Sequence, residues 1–276
     1  MGERPLRRLA ALALFGASAA LAAGPRQHLG PEVPAEVRRV VTLAPSLSEV
    51  VLALGAGERL VGVTRFDDDP RTKDVKRVGG YNDPEPEAVL ALKPDLVLAE
   101  PAPANRGPVT TLARLGLPIE AFPLSSVAEI ERAIECVGEL LRVSPRAREL
   151  VQGIEAARAR ARAQAQGKPR PRVLLVFGLD PLVVAGPRSF AGELLSDAGG
   201  ENAAGESDKP FFRVPEEAAL RARPDLLILC GVEAPKGRAA IAGLDVRALS
   251  LPSTALLHPG PRIPQAVDDL AKLLRP

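Results

Sequence analysis

A segment of twelve residues recurs in this chain, with six positions identical. Glu87-Ala-Val-Leu-Ala-Leu-Lys-Pro-Asp-Leu-Val-Leu98 is matched by Glu217-Ala-Ala-Leu-Arg-Ala-Arg-Pro-Asp-Leu-Leu-Ile228 at a constant offset of 130 residues, with Glu, Ala, Leu, Pro, Asp and Leu coinciding. Each copy reads as a short helix stopped before Pro, a turn favoured by Asp, and a buried strand. Between the copies lies the longest helical stretch, Pro145 to Gln166, rich in strong helix formers and closed by the breaker GKPRPR. A duplicated unit on either side of a helix of roughly 30 Å predicts two similar lobes joined by one bridge. The Ala/Arg-rich second half of that helix reads as washed by solvent. The expected boundaries are a lead-in at 23–37, an N-terminal lobe at 38–143, the bridge at 144–168 and a C-terminal lobe at 169–276.

The strands support the same architecture. Short apolar runs at 39–44, 60–63, 95–98, 118–122, 173–177, 226–229 and 246–249 alternate with helical stretches, the pattern of an α/β fold with parallel sheets flanked by helices. The first run ends at Pro45, and Ser46 is the expected N-cap of a helix reaching Gly55. Residues 24–37 are aperiodic and hold three Pro, so order is expected to begin at Arg39. A two-lobed molecule has a cleft, and clefts at the carboxyl ends of parallel strands take ligands.

The start of the chain reads as an export signal. Arg4, Arg7 and Arg8 precede an uncharged run from Leu9 to Ala23, and Ala20-Leu21-Ala22 offers a small-x-small cleavage pattern. Removal of residues 1–22 takes three Arg and one Glu from 36 basic and 34 acidic residues, leaving 33 of each. A neutral mature chain argues against nucleic acid as a partner. No phosphate-binding GxxxxGK[ST], dinucleotide GxGxxG or GxSxG elbow occurs. The two His, His28 and His258, are too few for a His-rich metal site. Cys136 and Cys230, on opposite sides of the bridge, read as small apolar side chains. No cofactor, resident metal or catalytic residue is expected, and the mature protein is expected to work outside the cytoplasmic membrane as a monomer.

Glu87 and Glu217 occupy equivalent positions near the starts of two short helices, where the helix dipole favours a carboxylate. One on each lobe, they also suit docking on a two-fold partner that carries basic pockets, where such pairs set orientation more than affinity.

The order of these segments resembles the periplasmic cobalamin-binding proteins: an export signal, RVVTLAPSLSEVVLALGAGERLVGVT, VGGYNDPEPEAVLALKPDLVLA, a long helix, RVLLVFGLDPLVVAGPRSFAGELLSDAGGEN and VPEEAALRARPDLLIL. Those receptors belong to the helix-linked class of substrate-binding proteins that serve ABC importers, a class that includes ferric-siderophore and heme receptors. The similarity runs from Arg38 to the end of the chain. It implies capture of a corrinoid between the lobes, small lobe closure, and delivery to a dimeric ABC permease through Glu87 and Glu217. The matching ligand-binding positions are Pro45, Ser46, Phe66, Tyr81, Phe177 and Phe211, with His258 and Arg262 beside the mouth of the cleft in LLHPGPRIPQAV. The chain departs from the family in having no Trp, and Glu100 stands where one of the family's pocket Trp residues aligns. A ferric-siderophore or heme receptor is the alternative within the class, with Arg65, Arg213 and Arg262 available for an anionic chelate. An exported enzyme of similar architecture is the alternative outside it, and the sequence offers no catalytic constellation for one.

Overall fold

A computed structural model describes residues 26–233, 241 and 243–275. The export segment and its expected cleavage after Ala22 lie outside the described residues. The N-terminal half runs β1 (Gln27–Leu29), β2 (Val40–Thr42), α1 (Pro45–Ala53), β3 (Leu60–Val63), β4 (Lys76–Arg77), α2 (Pro86–Ala91), β5 (Leu96–Ala99), α3 (Arg106–Arg114), β6 (Ile119–Ala121) and α4 (Val127–Leu140). The long helix α5 follows at Ser144–Ala165. The C-terminal half comprises β7 (Arg172–Leu179), β8 (Leu182–Ala185), α6 (Phe190–Asp197), β9 (Glu201–Asn202), β10 (Phe211–Arg213), α7 (Glu216–Ala222), β11 (Leu226–Leu229), β12 (Arg247–Ser250) and α8 (Ile263–Leu273).

Each half holds one sheet flanked by helices. The first has the order β1-β6-β5-β2-β3-β4 and the second β10-β8-β7-β11-β12, with β9 beside β7. Successive residues of the central strands point to opposite faces. Val40, Leu96, Leu98, Val173, Leu175 and Ile228 enter one cluster with α1, α4, α5, α6 and α8, a single core that runs through both halves. Val41 and Val97 on one sheet, and Leu174, Val176 and Leu227 on the other, enter separate clusters on the opposite faces.

Several sequence expectations change. The first sheet is parallel except for β1, which pairs antiparallel with β6, whereas the second is mixed because β8 returns antiparallel beside β7 and β10 beside β8. Order begins before Arg39: Glu120, 1% exposed, accepts from Arg26 Nε at 2.5 Å and Nη2 at 2.8 Å and lies 2.9 Å from His28 Nδ1. This ion cluster staples β1, formed within the expected lead-in, to the edge of the sheet. Ser46 is not the N-cap of α1. The cap is Ala44, with Pro45 in the first helical turn, where a missing N–H costs nothing and φ is already set. The second half of α5 is solvent-washed on one side only: Ala157 and Ala161 are buried on the other, and Arg158 and Arg162 reach Asp197 of α6 at 2.6 and 3.0 Å. Thus α5 packs against α4, α6 and α8.

The duplicated segments have the same backbone. Lys93 and Arg223, the basic residues before Pro-Asp, both adopt left-handed φ, 44° and 45°. Asp95 accepts from the backbone N–H groups of Arg38 and Arg39 at 2.8 and 2.9 Å, and Asp225 from that of Arg172 at 2.7 Å. The Arg39 side chain donates to Leu92 O at 2.7 Å and that of Arg172 to Ala222 O at 2.8 Å, closing the carboxyl ends of α2 and α7 alike.

Candidate functional site

Parallel strands open their carboxyl ends toward ligand, and Phe66 and Tyr81 lie in the loops that follow β3 and β4. After β3 the chain turns at Thr64. Asp67 Oδ2 accepts from Thr64 N at 2.8 Å and from Thr64 Oγ1 at 2.6 Å. Burial pushes the Asp67 carboxyl up from its ordinary value, against the lowering pull of hydrogen bonds from Ser48 and Thr64 and the charge of Arg77. The tight loop leaves Phe66 55% exposed, a degree of exposure that removes it from the fold's own packing. The Arg65 guanidinium covers one face of its ring at 5.1 Å and is held by Asp83 at 2.7 Å.

Tyr81 follows Gly79 and Gly80. Gly79 has φ 94°, and a Cβ there would sit 2.6 Å from Asp83 O; glycine is required to turn the chain so tightly. Tyr81 is part-buried against the shared core. Asn105, itself buried, donates to Tyr81 O at 3.2 Å and Glu100 O at 2.9 Å, tying this loop to the end of β5. Burial raises the proton affinity of the Tyr81 phenol, and the nearby Glu100 adds to it. Glu100 is pushed up to about 7 by burial and by the charge of Glu129. Pro45 and Ser46 follow β2 at the start of α1, Ser46 being 4% exposed.

On the C-terminal half, Phe177 on β7 and Phe211 on β10 meet edge to face, with ring centres 5.0 Å apart and planes at 75°. Phe190, at the start of α6, lies 6.1 Å from Phe211 on the side of the shared core. Phe190 is 1% exposed and belongs to that core rather than to an open surface. Among the described residues, no ring contact joins this group to Phe66 or Tyr81.

His258 and Arg262 come together on an acid that the sequence reading did not single out. Glu49, in α1 and 8% exposed, accepts from Arg262 Nη2 at 2.6 Å and Nε at 2.9 Å, and His258 Nδ1 lies 2.7 Å from Glu49 Oε1. Arg262 also donates to Thr254 at 3.0 Å. A lone carboxylate in the apolar run SLSEVVLAL was the available clue, because a buried charge needs a partner. Arg213 is exposed on β10. Glu87 and Glu217 are exposed in the first turns of α2 and α7, far apart in sequence and equivalent in setting. Cys136 and Cys230 are free thiols, and burial pushes Cys230 up to about 12. Among the described residues no group of three or more His, Cys, Asp or Glu is arranged to hold a metal, and no helix is long and apolar enough to cross a membrane.

Residues 40–241, most of both sheets, match the family described as periplasmic binding protein. The chain belongs to the periplasmic binding protein family. It is 29% identical over 206 residues to the vitamin B12-binding protein of Yersinia pestis (strain Pestoides F), covering 73% of this chain and 72% of that one. A periplasmic heme-binding protein from Roseiflexus sp. RS-1, solved in apo form, superposes with a TM-score of 0.74 at 30% identity over 86% of this chain and 97% of that one. The periplasmic vitamin B12-binding protein of Vibrio cholerae shares the fold, with a TM-score of 0.73 at 23% identity over 86% and 96% of the two chains. The two-lobed architecture expected from the duplication is that of these family members.

Proposed function

We propose that the chain is an exported receptor that captures a corrinoid, cobalamin or a precursor, between lobes at 38–143 and 169–276 and delivers it to a dimeric ABC permease. Residues 1–22 would be removed on export, and the mature chain would work as a monomer. Capture and release make and break no covalent bond. The ligand would lie against Phe66, Tyr81, Phe177 and Phe211, with Pro45 and Ser46 at the start of α1, and with His258 and Arg262 at the mouth acting through Glu49. Glu87 and Glu217 would meet the permease.

The observation that carries the choice of ligand is the charge of the site. Arg65 is held by Asp83 and Arg262 by Glu49, so two of the three cations suited to an anionic chelate are already neutralised. Glu100 adds an acid at the end of β5. Such surroundings favour a ligand rimmed by amides over one rimmed by carboxylates, because burying a charge without a partner is costly. The Yersinia relative's name supports the same ligand. Affinity would come from covering a large, partly apolar ligand face with Phe and aliphatic surface.

The 30% identity to a heme-binding protein favours heme as the second reading. Tyr81 is the only phenol, but burial and Glu100 both oppose its ionisation, and phenolate is the form that binds ferric iron well. Calorimetry with cobalamin, cobinamide, heme and a panel of ferric siderophores distinguishes the readings. The corrinoids are expected to bind at micromolar concentration or tighter; binding confined to heme or the ferric chelates would overturn the proposal.

A further inference from the structure

Thr42, Ser48, Thr64 and Asp67 are buried together at the carboxyl ends of β2 and β3. Thr42 Oγ1 lies 2.6 Å from Ser48 Oγ, and the Ser48 hydroxyl hydrogen-bonds the Asp67 carboxyl. Asp67 Oδ2 accepts from both Thr64 N and Thr64 Oγ1. The Thr64 hydroxyl in turn accepts from Phe66 N at 3.2 Å. A continuous chain of hydrogen bonds therefore runs from the end of β2, through α1, to the backbone of Phe66. Arg65 N donates to Gly79 O at 2.8 Å, which ties the same loop to the turn before Tyr81.

Burial alone would not select such a knot. Apolar side chains of similar size can replace paired polar groups at little cost, whereas a fully satisfied polar network specifies one geometry. The geometry specified here is that of Phe66. Its ring is more than half exposed and belongs to none of the apolar clusters. Arg65, held by Asp83, covers one face. With no core packing to orient it, the ring takes its direction from the loop backbone.

We propose that Asp67 is a positioning residue of the site: by closing the turn from Thr64, it holds the Phe66 ring in the direction that meets ligand. The role rests on the reading of Phe66 as a ligand contact and is the same for a corrinoid or for heme. It requires an acceptor at residue 67 rather than a charge. Asn offers its carbonyl oxygen to Thr64 in the same place, and its amide can donate to Ser48. Ala leaves the buried Thr64 N–H and hydroxyl without their partner and frees the turn.

The chain has no Trp, so Phe66→Trp places a single indole in the loop, and its fluorescence anisotropy reads the freedom of the ring with no ligand present. The indole is expected to be held with Asp67 and with Asp67→Asn, and to gain nanosecond freedom with Asp67→Ala. Binding is read by calorimetry with cyanocobalamin and, separately, with heme. Asp67→Ala is expected to weaken binding about tenfold when Phe66 is present and less than about twofold in the Phe66→Ala background, the coupling of a residue that acts through its neighbour. Asp67→Asn is expected to stay within about threefold of the unaltered protein. Thr64→Val removes only the hydroxyl between Asp67 and Phe66 N; it is expected to act in the same direction as Asp67→Ala, and it carries the comparison where that variant does not fold. Equal losses with and without Phe66, or an indole equally held in all three proteins, would overturn the role of Asp67. Coupling seen on heme alone would overturn the corrinoid reading and uphold Asp67. No loss from Phe66→Ala on either ligand would overturn both Phe66 as a contact and Asp67 as its positioner.

Discussion

Arg262 of the C-terminal half and Glu49 of the N-terminal half are joined by two hydrogen bonds, Nη2 to Oε1 at 2.6 Å and Nε to Oε2 at 2.9 Å. The carboxylate is 10% exposed and the guanidinium 31%, so the forked pair is largely removed from water and crosses from one lobe to the other. His258 lies 2.7 Å from the same oxygen that accepts from Arg262 Nη2. Together with α5 and the core that continues through both halves, this pair fixes how the two lobes face each other.

Breaking the pair on one side leaves a buried carboxylate. With His258 still beside Glu49 and the guanidinium partly exposed, Arg262→Met is expected to lower unfolding stability by about 1 to 2 kcal/mol, read from urea midpoints at constant slope. Glu49→Gln in the same background should restore part of the loss, because the buried charge, then partnered by His258 alone, is gone. A loss below about 0.5 kcal/mol, the range of ordinary surface substitutions, would contradict a structural role for the pair.

Lys93 and Arg223 are exposed, and both hold left-handed backbone that non-glycine residues adopt at a cost. Lys93→Gly and Arg223→Gly should each stabilise the protein by about 0.5 to 1 kcal/mol, as glycine takes this conformation without strain. Thermal unfolding checks both. Destabilisation in both variants would mean that the side chains, not the backbone, are what the duplicated turn requires.

These two cases also mark what the sequence reveals and what it hides. The duplication is legible because Glu, Pro and Asp recur at fixed spacing, and the central strands are legible because Val40–Thr42 and Leu226–Leu229 are unbroken apolar runs. β1 is not legible: Gln27 and His28 are polar, and the force that docks them is Glu120, more than ninety residues away. The mixed second sheet is hidden for a similar reason. The run RVLLVFGLDPLVVAG gives no sign that Leu182–Ala185 folds back on β7 rather than crossing over. Of the candidate site, the aromatic positions come from the family resemblance, whereas Glu49 is marked only as a lone carboxylate in an apolar run, and nothing local points to its partner 213 positions away.

Phe66 separates binding from folding. Its ring is more than half exposed and rests on Arg65 rather than on the core. Phe66→Ala is expected to change unfolding stability by less than about 0.5 kcal/mol and to weaken ligand binding about tenfold, the worth of an aromatic contact of roughly 1.4 kcal/mol. Unchanged affinity in calorimetry would remove Phe66 from the site.

Glu87 and Glu217 are exposed first-turn residues of separate helices, so reversing their charge should leave the fold and the cleft untouched. Glu87→Lys with Glu217→Lys is expected to abolish transport in vesicles that contain the permease while ligand affinity stays within about twofold, the small effect of distant exposed charges. Undiminished uptake would contradict the docking role.

The raised proton affinity of Glu100 makes stability depend on pH. In the folded protein Glu100 takes up its proton at about 7, above the ordinary value of 4.5. Between these values the folded state binds more protons than the unfolded state, so stability falls as pH rises through the window. Above pH 7 the contribution is fully lost, at most roughly 3 kcal/mol for this shift. Glu100→Gln should flatten the decline between pH 5 and 7.5 in urea titrations; an identical slope in both proteins would contradict the burial of this carboxyl.

Equilibrium dialysis of the mature chain against cyanocobalamin, followed by the absorbance of the corrinoid, tests the central claim most directly. One ligand is expected to be retained per chain, half-saturated at micromolar concentration or below. No retained corrinoid, from protein that does retain heme or a ferric chelate under the same conditions, would contradict it.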